Sequence, residues 1–365
     1  MVATSSGDAQ LEAPDDVSED ESLDAHHADS VQRFAAQLRT QLLHWEPSVA
    51  AAAASDPRTR AFVDALTTIA ALPVDALGME TRRLLVDSGE CDGEAGDAAA
   101  RVVAALDCRD VRLKCKAASA LGSLCVSRVA GQRLLELHGA AALRSLARMA
   151  TSRNRWAQAD ALAVLGWVVV IADERALAQV ARLLPAVVAT LRASVARGDA
   201  ANDGDEEHSA TGGGGLRRRH AEAASTEDAS NLRVYALVLL LNFLQRDAGV
   251  FGAASQLQRP LLDAANAVVA QLNAADAAMD PAEFVEVARL TVTLLGLLVD
   301  QHEDVAARVL ERRMLPTLLR LRQTLARARA EGLIGDGGVD GLAASDATDL
   351  EERVAAIVAA VVARR

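Results

Sequence analysis

Histidine, cysteine and clustered carboxylates are the side chains that most often do chemistry, and in this chain they are scattered. His26 and His27 are adjacent, but no third ligand stands at a metal-binding spacing from them. His44, His138, His208, His220 and His302 each stand apart. Cys91, Cys108, Cys115 and Cys125 form no CxxC pair. Cys115 and Cys125 fall within an apolar helical period, where a thiol behaves as a small packing residue. A chain of 365 residues, 51% of them apolar, can build its own core, so no disulfide framework is expected. There is no GxSxG and no HExxH. Gly212–Gly215 has neither the GK[ST] ending nor the preceding strand of a phosphate loop. Arg217–His220 is basic, but the acidic block Asp203–Glu207 lies close by, so both read as a solvated loop. The expectation is a chain with no catalytic residues, no metal site and no cofactor, and hence not an enzyme.

The remaining chemistry is that of recognition. Trp156 and Trp167 are eleven residues apart, three helical turns, and so share a face. Arg112, Lys116, Ser119 and Ser123 form a stripe of the same spacing. Aromatic and arginine side chains are the common anchors of protein interfaces.

The element that must position these residues runs from Asp110 to Thr151. Val111, Ala118, Leu121 and Cys125 lie on one face of a long helix. Ser127–Ala130 breaks the apolar period. Leu134, Leu135 and Leu137 then mark a short helix that Gly139 is predicted to stop, and Leu143 and Leu146 start a third. Long helix, short helix, glycine, medium helix is the grammar of an armadillo-type repeat, and the rest of the chain repeats it. Setting Gly122 on Gly166 gives an offset of 44, and Leu121 then falls on Leu165. A third copy aligns Leu240 with Leu121 and Asn242 with Ser123. In a fourth copy Gly296 aligns with Gly122. The stripe therefore continues through Trp156, Asp160 and Trp167 into Tyr235 and Asn242, on the side that an armadillo unit turns toward its concave groove. The candidate partner-binding residues are Arg112, Lys116, Ser119, Ser123, Trp156, Asp160, Trp167, Tyr235 and Asn242.

Aromatics make up only 2% of the chain, so the core must be Ala, Leu and Val in closely packed helices. The expected fold is all-α: an armadillo-like right-handed superhelical solenoid of about four repeats with helical caps. Residues 1–29 read as a disordered acidic tail, with Ser30 as the N-cap of the first helix. Residues 30–109 read as an N-terminal helical cap and 110–330 as repeats carrying a flexible insertion at 198–230. A flexible loop at 331–348 and a C-terminal capping helix at 349–365 complete the chain. The net charge is −12, but residues 1–30 hold nine acids and no Lys or Arg. The body is nearly neutral, which gives no field favouring nucleic acid. No apolar run is long enough for a membrane helix, and no apolar leader is visible at the N-terminus. The expectation is a cytoplasmic monomer, or an ER-lumenal one if a signal segment is missing from this sequence.

Ala117-Ala118, Leu121-Gly122, Gln132 and Gly139-Ala140 carry a resemblance. Their order resembles the armadillo family of nucleotide exchange factors for 70-kDa heat-shock chaperones, which includes cytosolic Hsp-binding-protein and ER-lumenal branches. The resemblance covers roughly residues 57–330. It implies a co-chaperone whose concave face grips the chaperone's nucleotide-binding domain and promotes ADP release, binding no nucleotide itself. The alternative is an armadillo adaptor or scaffold holding another protein or an extended peptide. The WxxxN ladder of peptide-binding import receptors is replaced here by Ser119/Ser123, Ala163/Trp167 and Val238/Asn242.

Overall fold

A computed structural model describes residues 18–46, 56–87, 97–200, 215–274, 279–330 and 344–364. Among these residues the regular structure is helical throughout. The chain opens with α1 (Ser18–Leu43), α2 (Pro57–Ala70), α3 (Ala76–Val86) and α4 (Ala98–Ala105). The first copy is α5 (Val111–Val126) and α6 (Arg128–Ala150). The second is α7 (Arg155–Ile171), α8 (Glu174–Ala181) and α9 (Leu184–Ala200). The third is α10 (Gly215–Arg246), a 3-10 turn (Ala248–Phe251) and α11 (Gln258–Ala274). The fourth is α12 (Pro281–Gln301), α13 (Glu303–Glu311) and α14 (Met314–Ala330), and α15 (Ala344–Ala363) ends the chain.

Short polar residues set the helix starts. Asp56, Asp75, Asp97, Asp110, Ser127, Asn154 and Asp173 are extended, and each side chain accepts a backbone N–H of the first turn that follows. Pro57 and Pro281 fill first-turn positions, where a missing N–H costs nothing.

The long helices α2, α5, α7, α10, α12 and α15 pack side by side as one row. Behind them α9, α11 and α14 form a second row, α6 packs on α5, α7 and α8, and α15 closes onto both α12 and α14. The repeated Leu-Gly step faces the next long helix of the first row. A Cβ added at Gly122 would lie 3.4 Å from Val164, one at Gly166 3.6 Å from Val238, and one at Gly296 3.7 Å from Ile357, each an ordinary van der Waals contact. The core is almost entirely aliphatic; Trp45, stacked on Phe62 at 4.3 Å, is the large exception. Polar ties also cross between helices. Buried Arg233 of α10 pairs with Glu283 of α12 at 3.3 Å, and burial lowers its pKa. Cys125 is fully enclosed, and burial pushes its thiol up to about 12.

Three expectations about helix boundaries are corrected. Gly139 does not stop a helix: α6 runs unbroken through it. In the second and fourth copies the equivalent helices are separate, and Pro185 and Pro316 stand just inside the later one. Both prolines align with Ala141 of the first copy. Without a proline ring against the preceding turn, Ala140-Ala141-Ala142 simply continues the helix. His138 is therefore a mid-helix residue rather than a terminal one, and its Nε2 lies 2.5 Å from Asp97, the N-cap of α4. Second, α1 begins at Ser18, not after Ser30. Glu19, Asp20 and Glu21 suit the positive end of a helix, and neither Gly nor Pro interrupts the stretch that follows. Third, α10 starts at Gly215 and α15 at Ala344, so helix enters segments expected to be flexible. Residues 1–17, 201–214 and 331–343 of those segments lie outside the described residues.

Candidate functional site

The N-terminal parts of α5 and α7 and the middle of α10 border an open groove of about 820 Å³. Its lining follows the repeat. Arg112 of α5, Trp156 of α7 and Asn231 of α10 are equivalent positions. One turn further on, so are Lys116, Asp160 and Tyr235. Ser119 completes the α5 side, its hydroxyl donating back to the Cys115 carbonyl at 3.1 Å. The N-caps Asp110 and Asn154 stand at the groove mouth, where their carboxylate and amide oxygens already hold the first turns of α5 and α7.

Six of the nine candidate residues thus meet in one place: Arg112, Lys116, Ser119, Trp156, Asp160 and Tyr235. The other three do not. Trp167 stays on the α7 face, 47% exposed beside exposed Val170, three turns along from Trp156. Asn242 turns its amide to the Gly166 carbonyl at 3.1 Å and ties α10 to α7. Ser123 faces away from the groove altogether. It is buried, and its carbonyl and hydroxyl both accept from Arg82 of α3. Its expected place on the binding face is corrected: at that point α5 presses against the N-terminal helices rather than facing solvent.

Cys115 of α5 and Asp160 of α7 both line the groove and perturb each other's titration across the α5–α7 seam. Burial, reinforced by the neighbouring Asp160 carboxylate, pushes the Cys115 thiol up to about 12, so it is an un-ionised thiol at neutral pH. Burial also raises the Asp160 pKa, with the Cys115 thiol and Lys116 opposing it. The groove therefore keeps a half-desolvated carboxylate at its base, with an indole and a phenol in its walls.

No protein-family model matches the sequence, and no curated protein matches it. Solved structures do match. Two crystal structures of engineered proteins align at TM-scores of 0.51 and 0.50 with 15% and 13% identity, covering 88% and 91% of this chain and 98% and 97% of theirs. A designed armadillo repeat protein in complex with peptide (KR)4 aligns at a TM-score of 0.50 and 14% identity, over 88% of this chain and 98% of that one. The fold is an armadillo-like all-α solenoid. At these identities the likeness concerns the fold alone.

Among the described residues, no group of three His, Cys, Asp or Glu side chains could hold a metal ion. No single described helix is long and apolar enough to cross a membrane.

Asp160 gives a pH prediction. Its folded-state pKa is raised, so between the unfolded value, about 4, and the folded one the native state binds more protons. Stability then falls as pH rises through that window. Asp160→Asn should stabilise the protein at pH 7 by about 0.5–2 kcal/mol, the usual gain when a functional-site cost is removed. That gain should disappear below about pH 4. Urea midpoints of both proteins at pH 4 and pH 7 check it; an equal gain at both pH values would remove the carboxylate from the account.

Proposed function

We propose that this chain is a protein-docking solenoid, and that the α5–α7–α10 groove grips the nucleotide-binding domain of a 70-kDa heat-shock chaperone and speeds its release of ADP. One observation carries the docking reading. Three successive long helices deliver an arginine, a lysine, a tryptophan, a carboxylate and a tyrosine into one solvent-open groove. The retention of a half-buried carboxylate there supports it, because folding alone is better served by an amide. The choice of chaperone rests on the motif resemblance through Ala117-Ala118, Leu121-Gly122 and Gln132. Such a chain would act in the cytoplasm or another chaperone-containing compartment, as a monomer that binds no nucleotide.

Release of labelled ADP from a 70-kDa chaperone, with and without the protein, tests the activity. Trp156→Ala tests the site. Trp156 is 55% exposed, so truncation should leave the urea midpoint nearly unchanged. A central aromatic anchor should nonetheless lose about 2 kcal/mol of binding, roughly thirtyfold. Unchanged binding by the folded variant defeats the site. A second reading, an adaptor for an extended basic segment, draws on Asp160 flanked by Trp156 and Tyr235, which suits a cationic side chain. Chaperone binding without faster ADP release, or binding of a Lys/Arg peptide alone, favours that reading.

A further inference from the structure

The first copy carries a charge pattern that its packing does not explain. Residues 107–160 hold ten basic side chains and four acidic ones, a balance of +6 in a chain of net charge −12. The remainder of the chain therefore stands at −18. Much of the excess gathers on two neighbouring turns. One precedes α5 and carries Arg109; the other precedes α7 and carries Arg153, its equivalent at the offset of 44. Arg148, near the end of α6, donates to the Asp107 carboxylate at 2.8 Å and so holds the two turns together. Arg112 and Lys116 follow on α5, so four exposed cations form one rim at the groove mouth. The nearby acids are already engaged. Asp107 is taken by Arg148, Asp110 caps α5 through two backbone N–H groups, and Asp160 lies half-buried with Lys116 acting on it. Arg109, Arg112 and Arg153 make no ion pair among the described residues.

A chain that gathers cations on one rim against an acidic remainder presents a surface for an anionic partner. The same chain supplies an anionic stretch: residues 8–24 hold eight acids and no Lys or Arg, and they run into α1. Helix α1 packs along α3. Arg39, in the last turns of α1, donates to the Leu84 and Asp87 carbonyls at the end of α3. The start of α3 adjoins Pro73, and Arg82 ties the Pro73 carbonyl to Ser123 in the C-terminal part of α5. The two helices thus share a direction, and α1 begins toward the C-terminal end of α5. The rim stands at the N-terminal end. A chain's own acidic stretch therefore leads away from its own rim, and a second copy is the better placed source.

We propose that the rim formed by Arg109, Arg112, Lys116 and Arg153 docks the acidic N-terminal stretch of a second copy of this chain, giving a salt-sensitive self-association. The occupant is a peptide rather than a nucleic acid, because the acidic remainder of the chain repels a long polyanion that runs past the rim. Arg112 and Lys116 also line the groove, so a docked stretch covers part of it and competes with any partner there. That competition rests on the proposed function. The docking does not, and its test uses no chaperone, so the two readings fail in different experiments.

Sedimentation of the full chain over a range of concentrations tests it, together with anisotropy of a labelled synthetic peptide of residues 1–24. At about 50 mM salt the protein should associate with concentration and bind the peptide. Both should weaken at least tenfold at about 300 mM salt, where screening is strong. Arg109→Glu combined with Arg153→Glu should weaken both at least tenfold. Both side chains are exposed, so the urea midpoint should not move and loss of folding cannot account for the effect. Arg320→Glu combined with Arg322→Glu makes the same change of charge on exposed positions of α14 and should leave both within twofold. A peptide with every Asp and Glu changed to the amide should not bind. A chain that stays monomeric at about 50 mM salt overturns the proposal, whether its acidic stretch is free or folds back on its own rim. Association that the Arg109 and Arg153 changes leave intact, or that the α14 pair weakens equally, overturns it. So does tighter binding of single-stranded DNA than of the peptide.

Discussion

Replacing Arg82 by alanine should cost the fold about 3–5 kcal/mol, because several buried acceptors lose their donor at about 1–3 kcal/mol each. Arg82 of α3 is 1% exposed. Its Nη1 donates to the Pro73 carbonyl at 2.7 Å and its Nη2 to the Leu72 carbonyl at 2.7 Å, beyond the end of α2. Its Nε donates to the Ser123 carbonyl at 2.8 Å, near the end of α5. One guanidinium thus satisfies carbonyls from two segments, the chain just after α2 and the C-terminal part of α5. Burial lowers its pKa, opposed by the charge of Asp75, yet arginine stays protonated in any accessible range. Truncation leaves three inward-facing carbonyls without their donor and a void where the side chain ran. Arg82→Lys should recover only part of the loss, because an ammonium cannot reproduce the fork. Gly78 is part of the same arrangement: a Cβ there would stand 2.1 Å from the Pro73 carbonyl oxygen, so Gly78→Ala should displace that acceptor. Urea unfolding followed by tryptophan emission measures these effects directly. Buried Trp45, stacked on Phe62 of α2, reports the N-terminal helices, while exposed Trp156 and Trp167 change little on unfolding. A loss for Arg82→Ala below about 1 kcal/mol, an ordinary single hydrogen bond, would mean that the fork is not formed in solution.

The parts of this architecture that the sequence discloses are those with a local or periodic cause. The Leu-Gly step at Leu121-Gly122 and its copies announces close-packed long helices, and capping residues such as Asp56 mark where helices begin. The offset of 44 carries Arg112 onto Trp156 and Lys116 onto Asp160, and these residues do share a groove. The third-copy alignment of Leu240 with Leu121 would have added Asn231, which falls on Arg112 and also lines it. What the sequence conceals depends on packing between helices. Helical phase alone cannot show that Ser123 is taken by Arg82, 41 residues earlier, or that Asn242 is committed to the Gly166 carbonyl. The juxtaposition of Cys115 and Asp160 depends on the register of α5 against α7, which no spacing within either helix specifies. The fused α6 was legible in principle: the aligned positions Ala141, Pro185 and Pro316 differ in the one residue type that cannot continue a helix.

Leu121→Ala should destabilise the protein by about 2–5 kcal/mol. Leu121 is fully buried, as are its equivalents Leu165, Leu240 and Leu295, so each copy devotes this position to the core. It lies in α5, which packs between α2 on one side and α7 on the other. The neighbouring Gly122 leaves space for no more than a methyl before Val164 is in contact, so α5 and α7 have little room to close over a lost isobutyl group. The cost should therefore sit in the upper part of the range, where a cavity persists. Leu295→Ala, in α12 between α10 and α15, should cost a similar amount. Since α7 and α10 separate the two sites in the row, the double variant should lose the sum to within about 0.5 kcal/mol. A single-variant loss below about 0.5 kcal/mol would show that the helical phase of α5 is wrong. A double-variant loss short of the sum would show something different. In a solenoid whose contacts run only between neighbours, one end can then unfold while the other survives. Tryptophan emission and far-ultraviolet circular dichroism would part company in that case, because Trp45, Trp156 and Trp167 all lie on the Leu121 side of α10. Coincident transitions with additive losses would instead show that the ties between rows, Asn242 to Gly166 and Arg233 to Glu283 among them, couple the stack into one cooperative unit.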